Sequence, residues 1–235
     1  MATFIGCEAL TPLIRQPSPA TFSLKGRREG GKGLAGRWNR RLCRPMSLET
    51  RLIDVVRADP ALMHVLTVMR DLDLPDWRLF SGAVYQGVWN DRTGRPVGYG
   101  IKDYDIGYFD PDTSWDAEDV IIKRVAAAFE PPFRDLVEVR NQARVHLWFE
   151  SKFGEPYAPL TCTDDAPAQF VAPAFALAVR LEKDDTISVA APYGLQDVFD
   201  MVIRPNPVRG LARGWDKVVA SARGRWPEIK VIEPA

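Results

Sequence analysis

Residues 102–110 read KDYDIGYFD, and this stretch is the most informative part of the sequence about the fold. Its alternating side chains predict a β-strand with one face in a core. Tyr104 and Ile106 then share the buried face, whereas Asp103 and Asp105 share the opposite face, because side chains two residues apart on a strand point the same way. Neighbouring carboxylates repel each other, and a divalent cation bound between them commonly offsets this repulsion. The same spacing also occurs at solvated strand edges and turns, so the pair alone leaves both interpretations open.

A third carboxylate, Glu138, lies within residues 136–140, LVEVR, which also predict a strand. An unpaired carboxylate between two valines is costly in free energy. If this strand neighbours the one that carries Asp103 and Asp105, three carboxylates converge on a site suited to Mg²⁺, which prefers oxygen ligands and phosphates. Two such ions would activate an attacking hydroxyl and stabilise a leaving pyrophosphate.

A glycine turn precedes these carboxylates in the chain. Residues 77–80, WRLF, predict a short strand, and residues 81–83, SGA, lead into a predicted helix. A strand, a glycine and a helix start leave backbone N–H groups facing a phosphate. A plain strand-to-helix turn needs a glycine just as often, so this pattern also has a purely structural interpretation.

The remaining sequence alternates predicted helices with predicted strands, which indicates an α/β or α+β architecture. Helices are predicted over residues 47–58, from Pro60 to about residue 72, from about residue 84, and over residues 116–129, 141–152, 195–203 and 212–222, with a hairpin from residues 175–181 and 186–190. The helix over residues 116–129 is expected to direct Val120, Ile121, Val125 and Phe129 inward.

Composition is that of a globular protein of 235 residues, with 46% hydrophobic and 26% charged residues. No apolar run reaches 18 residues, so no transmembrane helix is predicted. The three cysteines, Cys7, Cys43 and Cys162, are widely spaced. They predict neither a disulfide framework nor a structural zinc site and fit a reducing compartment, so we expect a cytoplasmic location.

The charge is divided unevenly along the chain. Residues 1–46 hold nine Lys or Arg and two Glu, so this part carries +7 and the remainder −7. Because the first part is rich in Gly, Pro and Ser and has no apolar period, we expect residues 1–45 to be a disordered basic extension and residues 46–235 to be the folded domain. Four alternatives are a nucleic-acid or membrane arm, a transit peptide, a degenerate phosphate loop over residues 26–33, and translation from Met46.

The order of these motifs resembles the nucleotidyltransferase superfamily that includes DNA polymerase β. From about residue 48 onward, some four fifths of the chain more closely resembles an uncharacterised bacterial family of nucleotidyltransferase-like proteins. The stretches that carry this likeness are residues 81–90 (SGAVYQGVWN), 100–105 (GIKDYD), 108–110 (YFD), 139–148 (VRNQARVHLW), 191–197 (APYGLQD) and 204–207 (RPNP).

The resemblance implies an α+β fold, with a small mixed sheet flanked by helices and a C-terminal hairpin and helices. It implies that Asp103 and Asp105 bind Mg²⁺, that Glu138 is the third acid, and that Ser81 and Gly82 approach a triphosphate. One position departs from the superfamily, which usually has Ser or Gly after the glycine, where this chain has Ala83. Ser81 must then supply any hydroxyl donor to the phosphate.

The expected function is Mg²⁺-dependent transfer of a nucleoside monophosphate from an NTP to an acceptor hydroxyl. A nucleotide-binding module with little turnover, and a structural or antitoxin-like partner protein, are the alternatives. The acceptor is expected to be small, because the folded part is acidic and disfavours a long nucleic acid. Lys102 is expected to pair with phosphate or with an acid, and Asn141 and Arg144 to contact nucleotide or to cap a helix.

Other polar and aromatic side chains receive structural interpretations. His146 is expected to be a hydrogen-bonded structural histidine. Arg204 and Asn206 could reach the cleft, but their Pro-flanked run favours a rigid turn. The core is expected to hold the aromatic residues Trp77, Trp89, Trp148 and Tyr193.

Overall fold

The computed structural model describes residues 46–233, and the extension expected over residues 1–45 lies outside them. Along the described chain the α-helices are α1 (Leu48–Ala58), α2 (Pro60–Leu72), α3 (Gly82–Thr93), α4 (Trp115–Ala128), α5 (Phe133–Leu136), α6 (Val145–Phe153), α7 (Gln196–Asp200) and α8 (Trp215–Arg225). The strands are β1 (Arg78–Phe80), β2 (Tyr104–Tyr108), β3 (Val137–Asn141), β4 (Ala178–Leu181), β5 (Ile187–Ala190), β6 (Val202–Ile203) and β7 (Lys230–Val231).

Five strands form one mixed sheet in the order β3-β2-β1-β4-β5. Strands β2 and β3 run parallel, and the other neighbouring pairs of this sheet are antiparallel. The parallel register sets Asp105 opposite Glu138, which confirms that the two carboxylate-bearing strands are neighbours. The predicted hairpin, β4 and β5, extends the sheet beyond β1. Helices flank this sheet, so the α+β fold class is confirmed.

Strand β2 has an apolar face and a polar face, as its sequence predicts. Tyr104, Ile106 and Tyr108 are buried in the main hydrophobic core. Gly107 lies on the other face, where a Cβ would collide with the ring of Phe80 from the neighbouring strand. Glycine at this position therefore leaves room for the ring of Phe80 on the polar face of the sheet.

Three helices begin at Ser or Asp residues, which are favoured types at a helix start. The side chains of Ser47, Asp59 and Ser114 each accept a hydrogen bond from a backbone N–H in the first turn of α1, α2 and α4. These bonds satisfy N–H groups that have no partner within the helix, which fixes where each helix starts. Gly154 ends α6 in a left-handed conformation, as expected of a glycine after a helix.

The inward face predicted for α4 is wrong at Val120. This side chain is 63% exposed, whereas Glu118 is 2% exposed and takes an inward position on the helix. Glu118 accepts a hydrogen bond from the backbone N–H of Asn141 and pairs with Arg144. An apolar period cannot reveal a buried carboxylate whose burial depends on partners distant in sequence.

The single helix predicted over residues 195–203 is also wrong. Helix α7 ends at Asp200, because Met201 adopts a left-handed conformation with φ of 55° and the chain then becomes extended. Val202 and Ile203 pair with the parallel strand β7 near the C-terminus. The predicted burial of Val198, Phe199 and Ile203 is correct, but the pairing with β7 overrides the helical period.

The main hydrophobic core lies on one face of the sheet, whereas Phe80 and Ala178 on the opposite face belong to a separate small cluster. The largest fully buried side chains of the main core include Trp77, Trp89 and Trp226, and the Trp226 indole N–H donates to Asn90. Burial of the first two tryptophans confirms their predicted core position. Within residues 46–233, no helix is both long enough and apolar enough to cross a membrane.

Candidate active site

A cavity of about 490 Å³ opens on the polar face of strand β2. The carboxylates of Asp103 and Asp105 line it together with Ser81 and Gly82 at the start of α3. Helices α6 and α8 supply the facing walls, and Phe80 contributes to the lining. The structure therefore brings the predicted carboxylate pair and the predicted glycine turn into one enclosure of a size typical of small-molecule sites, ~300–1,000 Å³.

The environment of Asp105 disfavours its ionised form. Burial, together with the negative charges of Asp103 and Glu138, raises its pKa to about 7 against the opposing effect of Arg140. Burial also raises the pKa of Asp103, with Lys102 and Arg225 acting in the opposite direction. Carboxylates kept close together without compensating charge are typical of functional sites, because such an arrangement costs stability.

Glu138 stands one strand away from the aspartates. It lies directly opposite Asp105 in the parallel register, and its Oε2 atom is buried with no hydrogen-bond partner within the described residues. Its side chain lines a second depression of about 280 Å³ at the sheet edge, which shares Arg140 with the main cavity. The structure thus places Glu138 beside Asp105, but the Glu138 side chain does not line the main cavity.

The three carboxylates provide the oxygen donors that Mg²⁺ prefers, and the unpartnered Oε2 atom of Glu138 is a free acceptor. Between residues 46 and 233, however, no group of three or more His, Cys, Asp or Glu side chains is gathered closely enough to hold a metal ion. The residues fit a divalent cation in donor chemistry, with Asp103 and Asp105 as the pair that faces the cavity. Substrate phosphates commonly complete the coordination of such ions.

The turn at Ser81 and Gly82 has an unusual backbone. Ser81 has φ of 41° and ψ of −88°, a sparsely populated conformation for a residue with a side chain, while its N–H donates to the carbonyl of Leu177. A Cβ at Gly82 would approach Gln86 Nε2 no closer than 3.7 Å. Packing within the protein therefore does not require glycine at residue 82, and space in front of it is left for a ligand.

The residue after this glycine, Ala83, is 1% exposed and packs in the core. A hydroxyl on residue 83 would therefore face the core rather than a ligand. Ser81 lines the cavity, so it is the residue of this turn whose hydroxyl is available there. The departure at Ala83 removes no donor from the cavity.

Two predicted nucleotide-binding residues lie away from the cavity. Asn141 is buried, where its Oδ1 accepts from the Ala143 N–H and its Nδ2 donates to backbone carbonyls of the segment before α4. Arg144 pairs with Glu118, donates to the Ser114 carbonyl and stacks over Trp115. Both side chains hold the end of β3 against α4. Asn141 also caps the short 3₁₀ turn after β3, as the capping alternative expects, whereas the Arg144 side chain makes no capping hydrogen bond to α6. Lys102, in contrast, is exposed at the cavity beside Asp103.

Helix α8 contributes cations that sequence reasoning missed. Lys217, Ser221 and Arg225 recur every four residues and line the cavity along one helix face. Arg225 donates to Gln86 Oε1 at 3.2 Å and to the Gly100 carbonyl at 3.0 Å, so it ties α8 to the loop that leads to Asp103. The four-residue spacing was visible in the sequence, but nothing in it shows that this face turns toward the aspartates.

A second missed feature is a group of four rings on α6 and the segment after it, Trp148, Phe149, Phe153 and Tyr157, here named the aromatic wall. Phe149 lies 4.7 Å from Phe153 and 4.5 Å from Tyr157 between ring centroids, and all four rings line the cavity. None of the four belongs to the hydrophobic clusters of the described residues. The predicted core position of Trp148 is therefore wrong.

Arg204 and Asn206 act as the predicted rigid turn. Arg204 pairs with Asp197, and Asn206 is buried and donates to the carbonyls of Ala168 and Phe170. Tyr193 contacts the same turn through its hydroxyl. For His146, Nδ1 is buried and has no hydrogen-bond partner within the described residues, so the expected hydrogen bond is not seen at that atom.

Comparison with known proteins agrees with this geometry. Residues 67–231 match the sequence profile of a family described as nucleotidyltransferase. A solution NMR structure described as a CCA-adding enzyme head domain aligns with a TM-score of 0.65 at 23% identity, over 79% of this chain and 96% of that one, so the two share a fold. A complex of CCA-adding enzyme with CTP aligns with a TM-score of 0.47 at 13% identity, over 80% of this chain and 44% of that one. No curated protein sequence matches the chain significantly. Because the family profile covers more than half of its length, the chain belongs to this nucleotidyltransferase family and is a nucleotidyltransferase.

Proposed function

We propose that the protein transfers a nucleoside monophosphate from an NTP to an acceptor hydroxyl and releases pyrophosphate, in a reaction that depends on Mg²⁺. The observation that carries this proposal is the pair Asp103 and Asp105, which faces the cavity beside the Gly82 turn. Membership of a nucleotidyltransferase family supports it. The cysteine usage of the chain supports a cytoplasmic location as part of the same proposal.

The NTP donor binds with its triphosphate at the start of α3. This helix has 12 residues, and its first N–H groups and dipole favour negative charge at that end. Lys102 and Arg225 act on the charge of Asp103 from the same cavity, so they are placed to attract phosphate oxygens as well. Gly82 leaves room for the phosphates to approach the backbone.

Asp103 and Asp105 would hold two divalent ions, and Glu138 would complete the acidic set. When bound, these ions would neutralise phosphate charge and stabilise the pyrophosphate as it departs. Glu138, which lies opposite Asp105 on the neighbouring strand, is the base that accepts the proton of the acceptor hydroxyl. The hydroxyl oxygen then bonds to the α-phosphorus while the bond from that phosphorus to the pyrophosphate oxygen breaks.

The test is incubation of the full chain with Mg²⁺, each labelled NTP and a panel of hydroxyl acceptors, with release of pyrophosphate as the signal. Asp105→Asn keeps the shape of the side chain but removes its charge, and it should abolish release. Asp91→Asn, an exposed position on α3, is the matched control. Release that persists in Asp105→Asn would refute the assigned site.

A binding module with little turnover is the second candidate. It is favoured by the finding that, within the described residues, no three carboxylates are gathered closely enough to hold one ion. Calorimetry separates the two candidates. Tight binding of Mg·NTP without pyrophosphate release, across all acceptors tried, would support the binding module.

A further inference from the structure

The aromatic wall faces the cavity from the side of strand β3. Helix α6 follows β3 directly through a short 3₁₀ turn, so its rings stand beside the strand that carries Glu138. The Gly82 turn follows β1, on the other side of β2 in the order β3-β2-β1. Asp105 on β2 therefore lies between the strand that leads into the Gly82 turn and the strand that leads into the aromatic wall.

Cations accompany the aromatic wall. The guanidinium of Arg209 lies 5.2 Å from the centroid of Phe149, and the ammonium of Lys152 lies 5.3 Å from that of Trp148. Arg213 reaches the same region, because a Cβ at Gly154, the residue that ends α6, would collide with its guanidinium. Lys217 is two helical turns before Arg225 on α8, about 12 Å from it along the helix axis.

Charge in the cavity differs from charge elsewhere. Among the described residues, seven Lys or Arg line the cavity against three acidic residues, and one of these acids, Glu155, is already paired with Arg209. After Met46 the chain has 22 basic and 29 acidic residues, so the residues of this part outside the cavity carry a net negative charge. The cavity thus attracts an anion, and the surrounding surface repels a long polyanion.

We propose that the acceptor is a small molecule of nucleotide size, with a planar ring that stacks on the aromatic wall and a phosphate held by Arg213 and Lys217. This inference rests on the proposed transfer reaction, because it assigns the acceptor to the Glu138 side of the same cavity. Ring stacking accounts for four rings that pack in no core, and the phosphate accounts for the excess of cations.

The experiment uses the full chain labelled with 5-fluorotryptophan and observed by ¹⁹F NMR, with Trp148→Phe to assign the Trp148 signal. Mg²⁺ and a non-hydrolysable NTP are added first, and their dissociation constant tests the proposed function separately. The four nucleoside monophosphates are then titrated. Adenosine supplies the ring without phosphate, glucose 6-phosphate supplies phosphate without the ring, and a single-stranded decanucleotide tests size.

At least one nucleoside monophosphate is expected to shift the Trp148 signal, while the signal of Trp115, which is 65% exposed on α4, stays in place. Glucose 6-phosphate should bind at least about tenfold more weakly because it lacks the stacking ring, which contributes ~1–3 kcal/mol per base. Adenosine should also bind at least about tenfold more weakly, because it lacks the charge-assisted hydrogen bonds of the phosphate. Phe149→Ala and Lys217→Glu should each weaken the monophosphate by about tenfold and change NTP affinity less than twofold. Lys230→Glu makes the same charge change outside the cavity and should have no effect.

Three results would overturn the inference. Weaker NTP binding in both Phe149→Ala and Lys217→Glu would place the donor's own base on the aromatic wall. A Trp148 shift with the decanucleotide but with no monophosphate would overturn the small size. No shift with any probe would overturn the stacking role. Because Lys217 is exposed, Lys217→Glu folds and remains informative even if Phe149→Ala does not.

Discussion

The structure encloses two sets of carboxylates near strand β3, and their surroundings differ. One set is Glu118 on α4, and the other is the pair Asp105 and Glu138. Glu118 accepts a hydrogen bond from Asn141 N–H at 2.9 Å and lies 3.3 Å from Arg144. The Oε2 atom of Glu138 has no partner within the described residues, and the pKa of Asp105 is raised to about 7 by burial and its acidic neighbours. A buried carboxylate with a structural role thus has its charge balanced by hydrogen bonds and ion pairs within the protein. A buried carboxylate at a functional site lacks such partners until a ligand binds.

The largest expected effect follows from changing Asp105, a member of the pair Asp105 and Glu138. Asp105→Ala should lower the rate of pyrophosphate release by at least about a thousandfold, because the metal-dependent stabilisation it supports amounts to several kcal/mol. Circular dichroism and thermal unfolding should show an intact fold. Initial rates with saturating Mg·NTP provide the measurement, and a loss of less than tenfold would remove Asp105 from the site.

For the ion pair of Glu118 and Arg144 we expect the opposite result, which is a loss of stability with little loss of nucleotide binding. Arg144→Ala leaves Glu118 buried without its ion-pair partner, so the free energy of unfolding should fall by about 3–5 kcal/mol. Urea unfolding measures this loss. Lys123→Ala, which breaks an exposed ion pair with Asp119 on the same helix, is the control and should change little.

A double variant completes this test. Glu118→Gln with Arg144→Met removes both charges, and it should recover much of the stability lost in Arg144→Ala. Its affinity for Mg·NTP, measured by calorimetry, should lie within twofold of the unmodified protein. A tenfold loss of affinity in a stable double variant would show that Arg144 contacts nucleotide after all.

A third prediction concerns pH and the stability of the metal-free protein. The pKa of Asp105 in the folded protein, about 7, exceeds its ordinary value of 3.8, so its contribution to stability is full below about pH 4 and is lost as the pH rises through 7. Asp105→Asn should therefore be more stable than the unmodified chain by about 4 kcal/mol at pH 8 and nearly equal to it at pH 4.

Urea unfolding at the two pH values in the presence of a chelator gives this comparison. Asp91→Asn, on an exposed part of α3, should show no such pH-dependent difference. Equal stability of Asp105→Asn and the unmodified chain at both pH values would mean that Asp105 is compensated like Glu118.

The smallest expected effect tests whether the Gly82 turn serves a ligand or the fold. Gly82→Ala should leave the free energy of unfolding within about 0.5 kcal/mol of its original value, because the new Cβ meets no atom closer than 3.7 Å. Its affinity for Mg·NTP should fall about tenfold, since the methyl group occupies space in the cavity. Gly87→Ala on the same helix, also with ordinary contacts, should leave affinity unchanged. Equal affinities in both variants would make the turn a purely structural one.

Local sequence determined the elements and the face that each strand presents. The caps at Ser47, Asp59 and Ser114, and the alternation of Asp103 and Asp105 with Tyr104 and Ile106, are readable because hydrogen bonds over two or three residues and the two-residue period of a strand depend only on near neighbours. The approach of Glu138 to Asp105 followed from the predicted strands together with a family resemblance.

The partners of the polar groups could not be predicted from the sequence and are seen only in the folded structure. Asn141 and Arg144 are engaged by α4, Val120 is displaced outward by Glu118, and residues 202–203 leave their predicted helix to pair with β7. The cations of α8 and the aromatic wall also reach the cavity through contacts between segments far apart in the chain. Such contacts depend on how helices and strands pack against one another. A buried charge is stable only where this packing gives it a hydrogen-bond or ion-pair partner, and a ring lines a cavity only where no neighbouring element covers it.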